Sequence, residues 1–311
     1  MTVGLEPGRA LVTGGAGFLG CHLVRRLNAD GWDVTVLDDF SSPSPAAAGL
    51  PATVVEGSVV SPPLLGQPFQ LICHLASPAS PPRYLLDPVG TLRTAAEGTR
   101  QMLDLAAESG AHFLFTSTSE VYGDPEVHPQ AESYPGSVDV RGPRACYDEG
   151  KRYAEALVYA YRRSGRHTRS SVVRLFNTYG PGMNPEDGRV VTAFISAALA
   201  GKPLPLFGDG SQTRSFCYVD DVVDCLKIIV DRQLPGPLNL GNDVEISMLE
   251  LADAVQELLG QSGRIFLPLP DGDPKVRRPD LRAIHDATGW RATTDLAFGL
   301  ERTVEYLRDQ T

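Results

Sequence analysis

Short apolar runs alternate with amphipathic stretches along the first half of the chain. Six of the runs predict buried strands, at residues 9–13, 34–37, 53–56, 70–76, 112–117 and 172–176. Apolar residues also recur at helical spacing, in the sets Phe18, Val24 and Leu27; Leu92, Met102, Leu103 and Leu105; and Tyr153, Leu157 and Tyr161. Such alternation is typical of a parallel sheet covered by helices on both faces, so the pattern predicts a doubly wound α/β fold.

The pattern changes in the second half of the chain. Segments 180–185 and 202–208 are rich in proline and glycine, and such loops usually carry binding groups on a rigid scaffold. Three short helices are expected in this half, at 190–199, 248–259 and 296–307. We expect one domain at 1–180 and a smaller C-terminal lobe at 181–311, a division that leaves room for the chain to return to the sheet.

Composition places few further limits on the protein. The chain has 311 residues, of which 42% are hydrophobic and 21% are charged, as is ordinary for a globular protein. No apolar run reaches the length of a membrane span and the start lacks a signal-peptide pattern, so we expect a cytoplasmic protein. The five cysteines have no C-x-x-C or metal-ligand spacing, which favours reduced thiols and predicts no metal site.

The formal net charge is −10. It argues against nucleic acid as a partner, because phosphate backbones bind clustered lysines and arginines. It does not exclude an anionic small molecule, since a few converging arginines are enough to bind one.

A glycine-rich segment follows the first predicted strand and opens the first helix. Its sequence is ALVTGGAGFLG at 10–20, with Gly14, Gly17 and Gly20 spaced as in dinucleotide-binding proteins. Glycines let the backbone approach a pyrophosphate, and the helix N-terminus supplies N–H donors. Asp38 ends the second strand, where a carboxylate accepts both ribose hydroxyls and repels a 2′-phosphate, which predicts NAD rather than NADP. The alternative is a purely structural glycine turn.

Tyr147 and Lys151 lie four positions apart in a predicted helix. This spacing puts a phenol and an ammonium on one helix face. A neighbouring lysine favours the phenolate, so we expect the pKa of Tyr147 to be lowered towards neutral pH and the phenol to act as a base towards a substrate hydroxyl. For this motif alone, a surface pair on an amphipathic helix is the stronger interpretation.

Several longer strings carry a resemblance to a known family. The glycine run, HLAS at 74–77, STSEVYG at 117–123 and Tyr147-x-x-x-Lys151 together resemble the extended short-chain dehydrogenases/reductases that act on nucleotide sugars. Within that family, four strings are similar to the UDP-glucuronic acid decarboxylases: HLASPASPP at 74–82, CYDEGKR at 146–152, DGRVV at 187–191 and GDGSQTRSFCYV at 208–219. The resemblance spans nearly the whole chain.

The resemblance implies an NAD-binding Rossmann domain and a reaction. The implied cofactor residues are Gly14, Gly17, Phe18, Leu19, Asp38, Leu75, Ala76, Tyr147 and Lys151. Tyr147 would remove the proton of the sugar C4 hydroxyl while NAD oxidises C4, with Lys151 on the nicotinamide ribose. The 4-ketone would make the C5 carboxylate a β-keto acid that loses CO2. Protonation at C5 and reduction at C4 would then turn UDP-glucuronate into UDP-xylose and restore NAD.

Ser119 and Glu120 follow a strand end, where α/β sheets place ligands. From the sequence alone, Ser119 could instead be a helix cap and Glu120 a solvated loop charge. In the related 4,6-dehydratases an aspartate–glutamate pair occupies these positions, with the aspartate as acid on the C6 leaving group. Serine cannot be that acid, so the resemblance favours decarboxylation and leaves Glu120 to handle the C5 proton or a bound water.

The resemblance also implies a substrate site and an assembly. Arg277, in VRRPD at 276–280, would lie near the glucuronate carboxylate, although its simpler interpretation is a charged loop. The implied substrate residues are Pro78, Arg83, Tyr84, Asn177, Arg189, Leu204, Phe207, Gln212, Arg214 and Arg277. The helix of Tyr147 and the one at 89–107 resemble those that form a four-helix homodimer interface. The rival predictions are a nucleotide-sugar 4-epimerase or 4,6-dehydratase, and a non-catalytic NAD-binding protein.

Overall fold

The computed structural model describes residues 4–66, 68–260, 262–270, 272 and 274–310. The outer ends of the two predicted domains, residues 1–3 and 311, lie outside the described residues.

Seven parallel strands form the central sheet. In chain order they are β1 (Arg9–Thr13), β2 (Asp33–Asp38), β3 (Thr53–Glu56), β4 (Leu71–His74), β5 (His112–Thr118), β6 (Ser170–Leu175) and β11 (Leu238–Leu240). Their order across the sheet is β11-β6-β5-β4-β1-β2-β3, and every neighbouring pair is parallel. The strand order reverses at β1, which pairs with both β2 and β4, and ligands of such sheets bind at this switch point.

Ten α-helices lie in the described part of the chain. They are α1 (Phe18–Ala29), α2 (Pro81–Leu86), α3 (Pro88–Arg93), α4 (Thr99–Ser109), α5 (Ala145–Arg163), α6 (Val190–Leu199), α7 (Val219–Arg232), α8 (Met248–Leu259), α9 (Arg282–Thr288) and α10 (Leu296–Arg308). Among the described residues, none of these helices is both long and apolar enough to cross a bilayer.

Side chains of alternate strand positions enter two separate cores. In β1, for example, Ala10 and Val12 belong to one core and Leu11 to the other. The first core includes residues of α1 and α7, and the second includes residues of α4 and α5. Because both sheet faces are covered by helices, the predicted doubly wound α/β fold is confirmed.

The remaining strands form three small sheets. They are β7 (Thr178–Tyr179), β8 (Leu204–Phe207), β9 (Thr213–Ser215), β10 (Cys217–Tyr218), β12 (Glu245–Ser247), β13 (Arg264–Leu267) and β14 (Val276–Arg277). β7 pairs with β10, β8 with β13, and β9 lies between β12 and β14. The chain also returns to the main sheet through β11, while the division at residue 180 stays a prediction.

The predicted elements agree with the structure, with one difference in detail. The six predicted strands match β1 to β6, and the helices expected at 190–199, 248–259 and 296–307 are α6, α8 and α10. The helix expected at 89–107 is instead α3 and α4 joined by a π-helical turn at Thr94–Gly98. Gly98 packs so closely on Val59 that a Cβ there would lie 2.6 Å from a Val59 methyl group.

Candidate active site

A cavity of about 880 Å³ extends from the switch point of the sheet to the C-terminal lobe. It brings together nearly every residue that the sequence predicts for a site. The predicted residues that line it are Gly14, Gly17, Phe18, Leu19, Asp38, Leu75, Ala76, Pro78, Arg83, Tyr84, Ser119, Glu120, Tyr147, Lys151, Asn177, Arg189, Phe207, Gln212, Arg214 and Arg277.

Leu204 is the predicted substrate residue that the structure does not bring to this cavity. Side chains alternate along β8, and Leu204 is fully buried in the hydrophobic core. Its neighbours Pro205 and Phe207 line the cavity instead. The structure therefore places Leu204 in the core rather than at the cavity, although Leu206, on the same face of β8, does reach the cavity.

The glycine segment packs backbone against backbone at the carboxyl ends of β1 and β4. Gly14 has φ +68, and a Cβ there would lie 2.7 Å from the amide nitrogen of Ala76. A Cβ at Gly20 would lie 2.1 Å from the carbonyl oxygen of Gly14. Since α1 begins at Phe18 directly behind this turn, its N-terminus faces the cavity, as in sites that hold a pyrophosphate.

Asp38 lies at the end of β2 beside the glycine segment. Its carboxylate accepts hydrogen bonds from the backbone N–H groups of Ala16 and Phe40, each at 2.9 Å. These bonds hold the side chain at the cavity wall, although burial raises the pKa of Asp38. The position is the one expected for a carboxylate that binds the ribose of NAD.

Tyr147 and Lys151 lie one turn apart in α5, and both are buried. The Lys151 ammonium donates a hydrogen bond to the Thr116 carbonyl oxygen at 2.9 Å and lies 5.9 Å from the centre of the Tyr147 ring. The Tyr84 ring stacks on the Tyr147 ring at 5.0 Å between centroids, with 7° between the planes. The pair therefore faces the cavity rather than solvent, which excludes the surface interpretation.

The expected lowering of the Tyr147 pKa is wrong for this structure. Burial, with a smaller contribution from the nearby Glu120 carboxylate, raises the pKa of Tyr147 to about 12. A hydrogen bond with the Thr118 side chain and the charge of Arg189 oppose this rise. Burial also lowers the pKa of Lys151 to about 8, although Glu155 raises it. Desolvation is thus the largest influence on the pKa of both groups.

An ion cluster lies on the cavity wall near Tyr147. Glu120 accepts hydrogen bonds from both Arg277 and Arg144, and Arg277 also donates to the Ser119 hydroxyl at 3.5 Å and to the Gly123 carbonyl oxygen at 2.8 Å. The Arg277 side chain is only 2% exposed. Neither Glu120 nor Arg277 is the solvated loop charge that the sequence alone allowed.

The two guanidinium groups determine the charge of Glu120. Burial by itself would raise the pKa of Glu120, but Arg277 and Arg144 hold it at about 2. Glu120 is therefore a carboxylate at any physiological pH and has no proton to donate. Ser119 is also not a helix cap, because the cap of the short helical turn at Ser119–Tyr122 is Thr118, which accepts a hydrogen bond from the Glu120 N–H group.

Polar side chains converge at the other end of the cavity, in the C-terminal lobe. Asn177 donates to the Ser215 carbonyl oxygen at 3.3 Å, and Gln212 donates to the Phe207 carbonyl oxygen at 2.9 Å. Arg214, from β9, lines the same region, and so does Arg189, which precedes α6. Arginine forks beside an aromatic side chain suit a diphosphate and a planar base.

Three site residues escaped the sequence prediction. Thr118 contacts Tyr147, Arg144 pairs with Glu120, and Asp148 is buried behind Glu120. Thr118 is next to Ser119, so the end of β5 was a signal that could have identified it. Arg144 is separated from Glu120 by 24 residues, and the sequence carried no sign of their pairing.

Known proteins resemble this chain over most of its length. The model of the NAD dependent epimerase/dehydratase family matches residues 10–241. UDP-glucuronic acid decarboxylase 1 of Xenopus tropicalis is 45% identical over 97% of this chain and 72% of its own length. UDP-glucuronic acid decarboxylase 5 of Arabidopsis thaliana is 46% identical over 96% of this chain and 89% of its own length.

A solved structure also shares the fold of this chain. The UDP-glucose 4-epimerase of Thermus thermophilus, solved in complex with NAD, has a TM-score of 0.85 and 26% identity, and the match covers 97% of this chain and 100% of the epimerase chain. The chain belongs to the NAD dependent epimerase/dehydratase family and, within it, to the UDP-glucuronic acid decarboxylases.

Proposed function

We propose that the protein is an NAD-dependent decarboxylase that converts UDP-glucuronate into UDP-xylose and CO2. The observation that carries this proposal is the cluster of Ser119, Glu120 and Arg277 on the wall of the cavity that also holds Tyr147 and Lys151. It offers a cation for a sugar carboxylate and no acid at position 119. The relatives at 45% and 46% identity, which are named for this reaction, support it.

The glycine segment fits NAD. The close approach of Gly14 to Ala76 leaves no room for a Cβ, so this turn presents bare backbone to the cavity, which is what a pyrophosphate requires. Asp38 would bind the ribose hydroxyls, and Phe18, Leu19, Leu75 and Ala76 would contact the rest of the cofactor. When bound there, NAD supplies reversible oxidation and reduction at C4 of the sugar and is recycled in each turnover.

Tyr147 would hold and release the proton of the C4 hydroxyl. Its pKa of about 12 has to fall for this task, and the Thr118 hydrogen bond already acts in that direction. Lys151, held by the Thr116 carbonyl oxygen, would bind the nicotinamide ribose. Because its pKa is about 8, Lys151 is mainly a cation at neutral pH and favours the phenolate.

Arg277 would bind the glucuronate carboxylate next to the reacting carbon. A ketone at C4 makes that group a β-keto acid, whose CO2 leaves with little further help. Glu120 would orient water near C5 as a hydrogen-bond acceptor, since its low pKa excludes it as the resident acid. Ser119 would donate a hydrogen bond to the sugar.

The C-terminal end of the cavity would bind UDP. Arg189 and Arg214 would neutralise the diphosphate, Asn177 and Gln212 would hydrogen-bond beside it, and Phe207 would border the uracil. Pro78, Arg83 and Tyr84 would line the sugar end. Arg189 and Arg214 would suffice to bind the diphosphate, although the chain as a whole is acidic.

A 4-epimerase is the second candidate, because a solved epimerase shares this fold at a TM-score of 0.85. Incubation with UDP-glucuronate separates the two functions. The proposal predicts CO2 and UDP-xylose, and UDP-galacturonate as the sole product would overturn it. A solved 4,6-dehydratase shares the fold equally well, but Ser119 stands where the resemblance places the acid of such enzymes, which argues against dehydration. A purely NAD-binding protein would form no product.

We also propose a homodimer and a cytoplasmic location. Exposed apolar side chains lie on neighbouring helices: Val89 is 68% exposed and Leu92 is 42% exposed on α3, and Tyr153 is 52% exposed on α5. A paired four-helix interface would cover them. The five cysteines are free and buried, which suits a reducing compartment. Light scattering that finds only monomer would remove the homodimer proposal.

A further inference from the structure

A second, smaller pocket of about 310 Å³ adjoins the main cavity. Glu120, Arg144 and Arg277 line both of them, so the ion cluster separates the two spaces. Asp148 lines the side pocket but not the main cavity. The side pocket also reaches the surface, because the exposed residues Asp124 and Asp139 lie on its wall.

Asp148 is a buried carboxyl group directly after Tyr147 in α5. The residue is 7% exposed, and its Oδ1 atom has no hydrogen-bond partner among residues 4–66, 68–260, 262–270, 272 and 274–310. Burial, together with the Glu120 carboxylate, raises the pKa of Asp148 to about 7. The protonated form of this buried carboxyl group is therefore favoured well above the pH at which an ordinary aspartate ionises.

Charged and titratable groups face Asp148 from every side. Glu120 and Glu149 disfavour its ionised form, whereas Arg144 and Arg277 favour it. The Tyr84 hydroxyl, from α2, also interacts with it electrostatically, and Tyr147 precedes it in α5. Of the two carboxyls in this cluster, Glu120 is held ionised and Asp148 is the one that carries a proton near pH 7.

The proposed reaction needs such a proton. When the bond between C5 and the carboxylate breaks, CO2 leaves and the electron pair stays on the sugar as an enolate. C5 then takes up one proton, so UDP-glucuronate plus one proton gives UDP-xylose plus CO2. Solvent has to supply this proton in each turnover, and the ionised Glu120 does not carry it.

We propose that Asp148 stores this proton and delivers it through water in the side pocket to the water that Glu120 orients beside C5. Asp148 does not touch the sugar; it is a positioning residue that acts through Glu120. After each delivery it takes a new proton from solvent at the surface opening of the pocket. This role rests on the proposed decarboxylase function.

Infrared titration of the free protein tests the stored proton without any turnover. We expect a protonated carboxyl band that disappears as the pH rises through about 7. The band should be absent in Asp148→Asn and present in the matched control Asp124→Asn, which removes an exposed carboxylate from the same pocket wall. Asparagine has the shape of the neutral acid, so the variant should keep its melting temperature. A band that persists in Asp148→Asn would contradict the assignment.

The pH dependence of kcat tests the delivery. Wild-type kcat should fall as the pH rises through about 7, because Asp148 is protonated only below this pH. Asp148→Asn should lower kcat about tenfold or more below pH 7 and remove this inflection, with KM changed less than about twofold. Asp148→Glu should restore the inflection, and Asp124→Asn should behave as wild type.

Failure of the delivery role is distinct from failure of the proposed function. Suppose that wild type forms CO2 but Asp148→Asn keeps the wild-type kcat and inflection, or raises KM without lowering kcat. The role of Asp148 is then overturned and the decarboxylase function stands. If wild type forms no CO2 from UDP-glucuronate, the function fails and the delivery role fails with it.

Discussion

The two ends of the main cavity are built in different ways. The cofactor end is centred on the short glycine segment, where Gly14 and Gly20 fit because they have no side chain. The sugar end is a charged cluster drawn from distant parts of the chain, with 157 residues between Glu120 and Arg277. A backbone site tolerates little change of shape, whereas a charged site depends on which groups remain paired and ionised.

Tyr147→Phe should have the largest effect at the sugar end. The phenol is the only buried proton carrier proposed for the C4 hydroxyl, so kcat should fall by about 10²- to 10⁴-fold while NAD still binds. Tyr153→Phe is the matched control, because Tyr153 lies in the same helix and is 52% exposed. Turnover of UDP-glucuronate and NAD titration are the measurements. Retained turnover in Tyr147→Phe would remove this residue from the mechanism.

Arg277→Gln should damage both catalysis and stability. It removes one of the two arginines that form ion pairs with the buried Glu120, so the free energy of unfolding should fall by about 3 kcal/mol, at the low end for a broken buried pair. The glucuronate carboxylate would also lose the cation proposed to bind it, so kcat/KM for UDP-glucuronate should fall roughly a hundredfold.

Denaturant unfolding and initial rates check this prediction. Arg282→Gln is the matched control, since that side chain is 86% exposed in its pair with Asp280 and its loss should hardly change the unfolding midpoint. Equal effects in the two variants would mean that the buried cluster has no special role.

Gly14→Ala tests the backbone end, and Gly49 offers a control with the same conformation. Gly14 has φ +68 and close neighbours, whereas Gly49 has φ +67 and nothing within 4 Å of a Cβ. Both variants incur the strain of a left-handed residue, about 1 kcal/mol. Only Gly14→Ala should also clash with Ala76 and weaken NAD binding. Isothermal titration checks this, and equal NAD affinity in the two variants would contradict the proposed backbone site.

The loss of stability in acid is the smallest of the expected effects. The pKa of Glu120 is held at about 2, well below its ordinary value of 4.5, so its ion pairs stabilise the fold above pH 4.5. This contribution is lost as the pH falls through 2. Unfolding of wild type and Glu120→Gln should therefore differ less as the solution is acidified, and a difference that stays constant with pH would contradict the low pKa.

The sequence predicts the cofactor end of the main cavity more fully than the sugar end. Strand pattern, glycine spacing and Asp38 lead to the cofactor end because parallel strands bring their carboxyl ends to the same edge of the sheet. At the sugar end, motif resemblance identifies Glu120 and Arg277, but not that they pair with each other or that Arg144 joins them. The direction of the Tyr147 pKa was also wrong, because burial depends on the stacked Tyr84 and on other segments that only the fold brings together. Leu204 lies in the core and not at the cavity, and its role in substrate binding stays a prediction.

The fate of the sugar carboxylate tests the central claim most directly. UDP-glucuronate labelled with ¹³C at C6 would be incubated with the protein in deuterated water and followed by NMR. The account predicts one labelled CO2 for each UDP-xylose, with one deuterium at C5. UDP-galacturonate that keeps its ¹³C label, with no CO2 released, would contradict it.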